Sequence, residues 1–278
     1  MKAVGCILLL IGSAQADRNG PPGGLVVERT VKVSLLDWLG AQRDVQRKET
    51  IHIKGANVSV TDRTFGERLI IRSDLKKVWK VDPLRGEYSE YTFDEVASIR
   101  KAALDEIRAA QARVKGTADE LELAKILEGF DQFKEPPKVA LAAAGNGRKL
   151  TINDDLVRAA VDINPAVQGG GGYFEALAAV GAFPPEVAAK LRELGGFPVK
   201  GRVRYVLFLD RVVEQFDVTA AAAQDVAASE FELPKDLKRV PLKGFGPPAE
   251  RRPAKPGQVR RDFKEDDVDR PQDKKDKP

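Results

Sequence analysis

Hydrophobic and polar residues alternate along the chain from Leu25 to Thr92. The runs "LVVERTVKVSLL", "ETIHIKG" and "NVSVTD" carry apolar side chains at every second position, which is the period of a strand with one buried face. "ERLIIRSD" continues the series, and turn-forming residues such as Gly55 and Gly66 separate the runs. The pattern predicts five or six short strands in an antiparallel meander with one face in water.

The end of this region is typical of a tight hairpin. In "KVWKVD", Trp79 and Val81 share one face of a strand and Val78 lies on the other. The next residues are a turn in which Pro83 presets φ and Gly86 is free to take a positive φ. A second strand, "EYSEYT", follows directly. The sequence therefore predicts two strands joined by a short turn.

At Thr92 the hydrophobic period changes from two to 3.6 residues, which predicts helices. Thr92 and Glu95 form a capping box, and Gly116 ends the first helix. Its apolar stripe comprises Val96, Ile99, Ala103, Ile107, Ala110 and Val114. Thr117 and Glu120 predict a second capping box. The apolar residues of that second helix are Leu123, Ile126, Leu127 and, at its end, Phe130, and two prolines at 136 and 137 end the helical block.

The second half of the chain alternates again between strand and helix patterns. "KLTINDDLVRAAVDIN" predicts two short strands around Asp154 and Asp155, and the glycines from Gly169 to Gly172 predict a flexible linker. "YFEALAAVGAF" and "PEVAAKLRELGG" predict short helices, and "GRVRYVLFLD" and "RVVEQFDV" predict strands. The whole order predicts one α+β domain over residues 17–245 that completes its sheet late in the chain.

The first sixteen residues have the pattern of a signal peptide. Lys2 is followed by a short apolar run from Val4 to Ile11, and Ala14-Gln15-Ala16 fits a signal peptidase site. This predicts export to the periplasm or the outside, with the mature chain beginning at Asp17. The alternative is a mobile cytosolic N-terminus. Cys6, the single cysteine, lies inside the apolar run, so the mature chain would have no disulfide.

Residues 246–278 are rich in proline and in charges of both signs and contain almost no apolar side chains. Such a segment buries too little apolar surface to offset the entropy of ordering it, which predicts a disordered tail. No stretch after the N-terminus approaches about twenty uninterrupted apolar residues, so no transmembrane segment is predicted.

The overall charge is small, at +4 from 46 basic and 42 acidic residues. Since proteins that bind duplex nucleic acid concentrate lysine and arginine on one surface, this balance argues against nucleic acid as a partner. The hydrophobic fraction of 42% is enough for a sizeable core.

The sequence contains few residues that indicate catalysis. His52, the single histidine, lies on a strand on the side opposite Ile51 and Ile53, so neither a hydrolytic triad nor a typical zinc site is expected. The glycines of "GNGRKLT" lack the spacing of a phosphate-binding loop. Asp154 and Asp155 would point to opposite faces of a strand, or form a turn. We expect a protein that is not an enzyme, with no catalytic residue, cofactor or metal; carboxylate chemistry is a remote alternative.

The stretch "KKVWKVDPLRGEYSEYTFDEV" resembles an uncharacterised secreted domain family that is related to the LolA/LolB-type lipoprotein carriers. The resemblance rests on Trp79, on the Asp82-Pro83 turn, on Tyr88 and on the segment from Phe93. "GFPVK" and "SEFELPKDLKRV" resemble elements at the end of the same family. The similarity covers Leu25 to Leu242.

The resemblance implies a half-open β-barrel, that is, a strongly curved antiparallel sheet with helices packed on its concave face. It also implies an exported protein that carries a lipid or a lipoprotein acyl group in an apolar cavity. Trp79 and Val81 would then face inward beneath the helix from Val96 to Val114. The candidate lining comprises Ile51, Ile53, Val58, Val60, Leu69, Ile71, Trp79 and Val81, with Tyr91 near the rim.

A second interpretation fits the same residues. The helix can fill the concave face so that the nine candidates are ordinary core. The protein would then be an envelope interaction protein with a packed core, whose tail or whose segment around Gly169 to Gly172 docks a protein partner.

Overall fold

The structure is a computed structural model that describes residues 23–36, 41–127, 138–207 and 210–241. The predicted signal peptide (1–16) and tail (246–278), as well as Phe130 and the prolines at 136 and 137, lie outside these residues.

A single large sheet dominates the described chain. Its strands, β1 to β12 in chain order, are Leu25–Leu36, Gln42–Lys54, Asn57–Asp62, Arg68–Arg72, Lys77–Asp82, Glu87–Thr92, Lys138–Ala144, Gly147–Asn153, Val157–Asn164, Phe197–Leu207, Asp210–Ala223 and Lys238–Arg239. Their order across the sheet is β12-β6-β5-β4-β3-β2-β1-β11-β10-β9-β8-β7, and the sheet does not close. Every pairing is antiparallel except that of β12 with β6.

The described chain contains four α-helices, labelled α1 to α4: Phe93–Val114, Asp119–Ile126, Gly171–Ala179 and Pro185–Arg192. A 3₁₀ helix, Ala228–Phe231, follows β11. The α+β class, the six-strand meander and the alternation of strands and helices agree with the sequence prediction. The meander is completed from far along the chain, because β1 pairs with β11 along its whole length.

The hairpin and the first helix form as the sequence predicts. β5 and β6 pair in register around a turn in which Gly86 has φ 63°. The Thr92 hydroxyl accepts a hydrogen bond from the Glu95 amide, and the Glu95 carboxylate accepts one from the Thr92 amide. The apolar stripe of α1 is buried at Val96, Ala103, Ile107, Ala110 and Val114, whereas Ile99 is half-buried.

The predicted second capping box does not form. The N-cap of α2 is Ala118, which makes no side-chain cap. The Glu120 carboxylate accepts from the Gly116 amide, and the Thr117 hydroxyl donates to the Val114 carbonyl. Both residues therefore close the end of α1 instead of starting α2.

The predicted glycine linker is the start of a packed helix. Gly171 begins α3, and a Cβ on Gly172 would overlap the carbonyl oxygen of Gly55 in the β2–β3 turn. A Cβ on Gly170 would likewise overlap the Gly196 carbonyl. Because the glycines allow backbones to approach closely, they fix α3 against the sheet.

The strand β7, "KVALAAA", was not predicted. Alanine favours helices over strands, so a segment with four alanines among seven residues gives no strand signal. β7 pairs only with β8 among the described strands and is exposed at all but one of its positions.

Candidate functional site

The strand register divides the nine candidate residues between the two faces of the sheet. Ile51 pairs with Val60 and Ile53 with Val58, and those two valines pair with Leu69 and Ile71. Directly paired residues share a face, and Ile71 and Tyr91 both pair with Val78. Seven candidates therefore share one face, and they are 0% to 8% exposed: Ile51, Ile53, Val58, Val60, Leu69, Ile71 and Tyr91.

Helix α3 packs on this face, which we call the helix face. Val27 and Arg29 of β1 are paired with Ile51 and Glu49, so the helix face extends from β6 through β2 into β1. Tyr173, in the first turn of α3, is fully buried and interacts electrostatically with Arg29. The seven candidates therefore lie on the face of the sheet on which α3 packs.

Trp79 and Val81 lie on the opposite face, which we call the outer face. Trp79 pairs with Ile70, whereas Leu69 pairs with Lys80. Ile70, Trp79 and Val81 pack against Val226 and Phe231, which follow β11 in the chain. The expected position of Trp79 beneath α1 is therefore corrected. Alternation in the sequence did not identify which face of β5 points toward the helices, because β5 is buried on both faces and Val78 is fully buried on the helix face.

The Trp79 side chain has a polar partner on the outer face. Its indole Nε1 donates to Glu90 Oε2 at 2.8 Å, and Lys77 Nζ lies 3.2 Å from the same oxygen. The hydrogen bond from Trp79, together with Lys77, lowers the pKa of Glu90. The indole is thus held at the surface of a small core.

The helix face also carries a buried ion cluster, which consists of Arg29, Arg47, Glu49, Glu214 and Tyr173. Arg29 and Arg47 approach the two oxygens of Glu49 at 2.6 Å and 2.7 Å, and Arg47 lies 2.9 Å from Glu214. The Arg29 guanidinium also stacks on the Phe216 ring at 5.2 Å. Hydrophobic patterning could not find this cluster, because β1 and β2 each supply charged residues at positions that the alternation assigns to the core.

The pKa values of the two carboxyl groups in the cluster are shifted in opposite directions. Burial alone would raise the pKa of Glu49, but Arg29 and Arg47 lower it below its usual value. Burial raises the pKa of Glu214 to about 8, against the attraction of Arg47. Burial also raises the pKa of Tyr173. At neutral pH the cluster therefore holds one ionised and one protonated carboxyl group.

A groove of about 430 Å³ opens on the outer face. Its floor is formed by β2 to β5, and its wall by the 3₁₀ helix and the chain that follows it. The lining residues are Thr50, His52, Thr61, Arg63, Gly66, Arg68, Val81, Pro83, Glu230 and Pro234. Sequence analysis placed these polar strand positions in water and gave no sign that residues 226–234 fold back over them.

The groove contains a set of linked polar side chains. Arg68 donates from Nε to the Ser59 hydroxyl at 2.8 Å and from Nη2 to the Glu230 carboxylate at 2.7 Å and the Glu230 carbonyl. His52 Nδ1 lies 3.5 Å from the same carboxylate. Burial lowers the pKa of His52, although Glu230 acts in the opposite direction.

Asp154, the other polar candidate from the sequence, is used in a salt bridge. It is 1% exposed, and both its oxygens accept from Arg100 of α1 at 2.8 Å. Within the described residues no group of three or more His, Cys, Asp or Glu side chains could hold a metal ion. Among the helices of the same residues, none is long and apolar enough to cross a membrane.

No protein-family model and no curated protein matches the chain. Among solved structures, it is similar to an uncharacterised conserved protein from Thermus thermophilus, with 9% identity over 78% of this chain and 91% of that one and a TM-score of 0.33. It is also similar to a LolA superfamily protein from Nitrosomonas europaea, with 10% identity over 83% of this chain and 97% of that one and a TM-score of 0.30.

Proposed function

We propose that this chain is an exported, non-enzymatic binding protein that holds an apolar or amphipathic ligand, such as a lipid or an acyl group of a lipoprotein, against the helix face. The observation that carries the proposal is the apolar wall on β2 to β6, where seven buried residues form one surface on the face against which α3 packs. Binding would be driven by the apolar area removed from water, at about 0.8 kcal/mol per methylene group.

The Arg100–Asp154 salt bridge supports a curved sheet with helices on its concave side. α1 begins directly after β6, and Arg100 is seven residues into it, or about 10 Å along the axis. Asp154 lies in the turn between β8 and β9, and β9 is eight strand spacings from β6, about 38 Å in a flat sheet. Because a helix segment and one arginine side chain connect these places, the sheet would bend around α1 as a half-open barrel.

The ligand would enter between the sheet and the helices. In the described residues the seven candidates are closely covered, so the helices would have to move apart for binding. The bidentate pair of Arg100 and Asp154 is a polar contact that joins α1 to the far part of the sheet. The arrangement supports a cover that opens rather than a permanently open cavity.

The test is photo-crosslinking of the purified chain with a diazirine fatty acid, followed by mapping of the adducts by mass spectrometry. We expect adducts on the helix face, at or near Ile51, Ile71 and Tyr91. Native mass spectrometry of protein purified without detergent would show bound lipid directly. A ligand-free mass, with no uptake of fatty acid or phospholipid, would overturn the proposal.

Two neighbouring isoleucines provide a matched control. Ile70 and Ile71 are both 0% exposed and lie on opposite faces of β4. Both substitutions to alanine should destabilise the fold by a similar amount. Ile71→Ala also removes contacts from the ligand surface and should weaken fatty acid binding about tenfold, whereas Ile70→Ala should leave binding unchanged. Equal effects of the two substitutions on binding would argue against a site on the helix face.

A second candidate function is self-association through the edge strand β7. The packed core of the protein is compatible with this role as an interaction protein. Between Val139 and Ala144 the strand carries no charge and no proline, which are the features that normally protect an edge. If two copies pair antiparallel about Leu141, Ala143 lies opposite Val139 and the charged Lys138 lies at the end. The segment from Gly169 to Gly172 is packed against the sheet and does not supply a docking loop.

Analytical ultracentrifugation tests this second candidate. We expect a dimer that Ala142→Lys converts to a monomer, because a charge at the centre of the paired edges is unfavourable. Thr151→Lys, at an exposed position on the neighbouring β8, is the control and should leave the dimer intact. A wild-type chain that is monomeric at all concentrations would exclude self-pairing.

A further inference from the structure

The outer-face groove has the size and the concave form of a small-ligand site. Its volume of about 430 Å³ lies in the range of pockets that hold small molecules. It lies on the side of the sheet opposite the helix face, so it does not depend on the function proposed above. The lining combines polar side chains with the apolar side chains of Val81, Pro83 and Pro234.

The floor of the groove contains a buried hydroxyl without a partner. Thr50 is 4% exposed, and its Oγ1 makes no hydrogen bond to any described residue. Its pairing with Thr61 places two hydroxyls side by side on the outer face. A buried hydroxyl that lacks a partner is costly, so a polar group that enters the groove would gain a favourable contact.

The charge distribution favours an anion. Arg68 is only 17% exposed at its side chain and is directed into the groove by Ser59. Its present anionic partner is Glu230, whose carboxylate also lies beside His52. Arg63 lies at the rim, 3.0 Å from Glu28. A half-buried guanidinium that already binds a carboxylate has the geometry to bind another.

Glu230 can leave this position without disturbing the fold. Its side chain is 37% exposed, whereas the next residue, Phe231, is 4% exposed and anchors the 3₁₀ helix in the outer-face core. The carboxylate can therefore rotate into solvent while the helix stays in place. Glu230 then acts as an internal competitor for the anion.

We propose that the outer-face groove binds a small amphipathic anion, whose carboxylate or phosphate displaces Glu230 from Arg68 and whose apolar part packs on Val81, Pro83 and Pro234. The anionic group would lie within reach of His52 and Thr50. A carboxylate on a free organic acid and a phosphate on a lipid headgroup share this chemistry. The two sources are separated by the probes in the experiment.

The experiment is a titration of the full chain, followed by two-dimensional NMR of its backbone amides and arginine Nε–H groups. The probes are octanoate, octyl phosphate, and vesicles of phosphatidylglycerol with phosphatidylcholine vesicles as the neutral reference. We expect saturable shifts at Thr50, His52 and Arg68. Binding of the soluble probes alone identifies a free organic anion, and selective binding of phosphatidylglycerol vesicles identifies a lipid headgroup.

Three substitutions separate the proposed site from general charge effects. Arg68→Gln should weaken binding about tenfold or more, because it removes a charged hydrogen-bond donor. Glu230→Gln should strengthen binding, because the competing carboxylate is lost. Arg85→Gln is the control, since Arg85 is an exposed arginine of the β5–β6 turn that pairs with Asp82 and does not line the groove. It should leave binding unchanged.

The result that would overturn the proposal is the absence of saturable shifts with all probes. Equal losses in Arg68→Gln and Arg85→Gln would do the same, because they would indicate non-specific attraction. Ile71→Ala, on the helix face, should leave the shifts unchanged. The outcome is thus independent of the fatty acid experiment on that face.

Discussion

Gly172 shows how one residue without a side chain positions a helix. The N-terminus of α3 approaches the β2–β3 turn so closely that a Cβ would overlap the Gly55 carbonyl oxygen. Gly172→Ala should therefore lower the free energy of unfolding by about 2 kcal/mol or more. Urea denaturation measures the change. Glu175→Ala, at an exposed position of the same helix, is the control and should change it by less than about 0.5 kcal/mol.

Glu214 makes the stability depend on pH. The carboxyl group has a pKa of about 8 in the folded chain and about 4.5 in the unfolded chain. Between these values the folded chain keeps a proton that the unfolded chain has lost, so the free energy of unfolding falls as the pH rises. Arg47, Glu49, Arg29 and Tyr173 are the charged or titratable groups that face it.

The test compares the wild type with Glu214→Gln in urea between pH 6.5 and pH 8. We expect the wild type to lose up to about 2 kcal/mol over this range and the variant to show a flatter profile. The range begins at pH 6.5 because the lowered pKa of His52 gives a slope of opposite sign below that pH. Identical slopes in the two proteins would show that Glu214 is ionised in the folded chain.

Residue positions on the helix face were predictable, and those on the outer face were not. Alternation placed Ile51 and Val60 on one side because each has polar neighbours in its strand. It failed at Trp79, because residues far along the chain, Val226 and Phe231, cover the other side. Local periodicity contains no information about such long-range contacts, and the groove that they form was missed for the same reason.

At the scale of elements, the two predicted capping boxes provide a direct comparison. Thr92→Ala should cost about 1 kcal/mol of unfolding free energy, because its hydroxyl accepts from the Glu95 amide. Thr117→Ala should cost less, because Thr117 caps no helix start and donates one hydrogen bond to Val114. Thermal denaturation followed by circular dichroism measures both. A larger loss at Thr117 would contradict the described start of α2.

Elements with a strong period were predictable, whereas β7 was not. The stripe of α1 repeats over five buried positions, so its 3.6-residue period is clear in the sequence. β7 consists mainly of alanine, and its strand geometry comes from pairing with β8. Tertiary pairing overrides propensity there, which a single sequence does not show.

At the scale of the whole molecule, the pair of Arg100 and Asp154 holds distant parts of the chain together. Asp154→Ala leaves Arg100 largely buried and without its carboxylate, and should cost about 3 kcal/mol or more. It should also speed the uptake of fatty acid if α1 covers the site. Lys101→Met is the control, because Lys101 forms an exposed pair with Asp105 and should cost less than about 1 kcal/mol. Urea denaturation and stopped-flow uptake measure the two effects.

The pairing of β1 with β11 has a consequence for how the chain folds. Leu25 lies opposite Ala223, so the centre of the sheet joins residues that are almost a whole domain apart in sequence. The entropy of closing so long a loop must be overcome before the pairing contributes stability, and proteins with such distant contacts fold slowly. We therefore expect the β1–β11 pairing to form only after the chain has been synthesised as far as Ala223. Until then one edge of β1 has no partner strand.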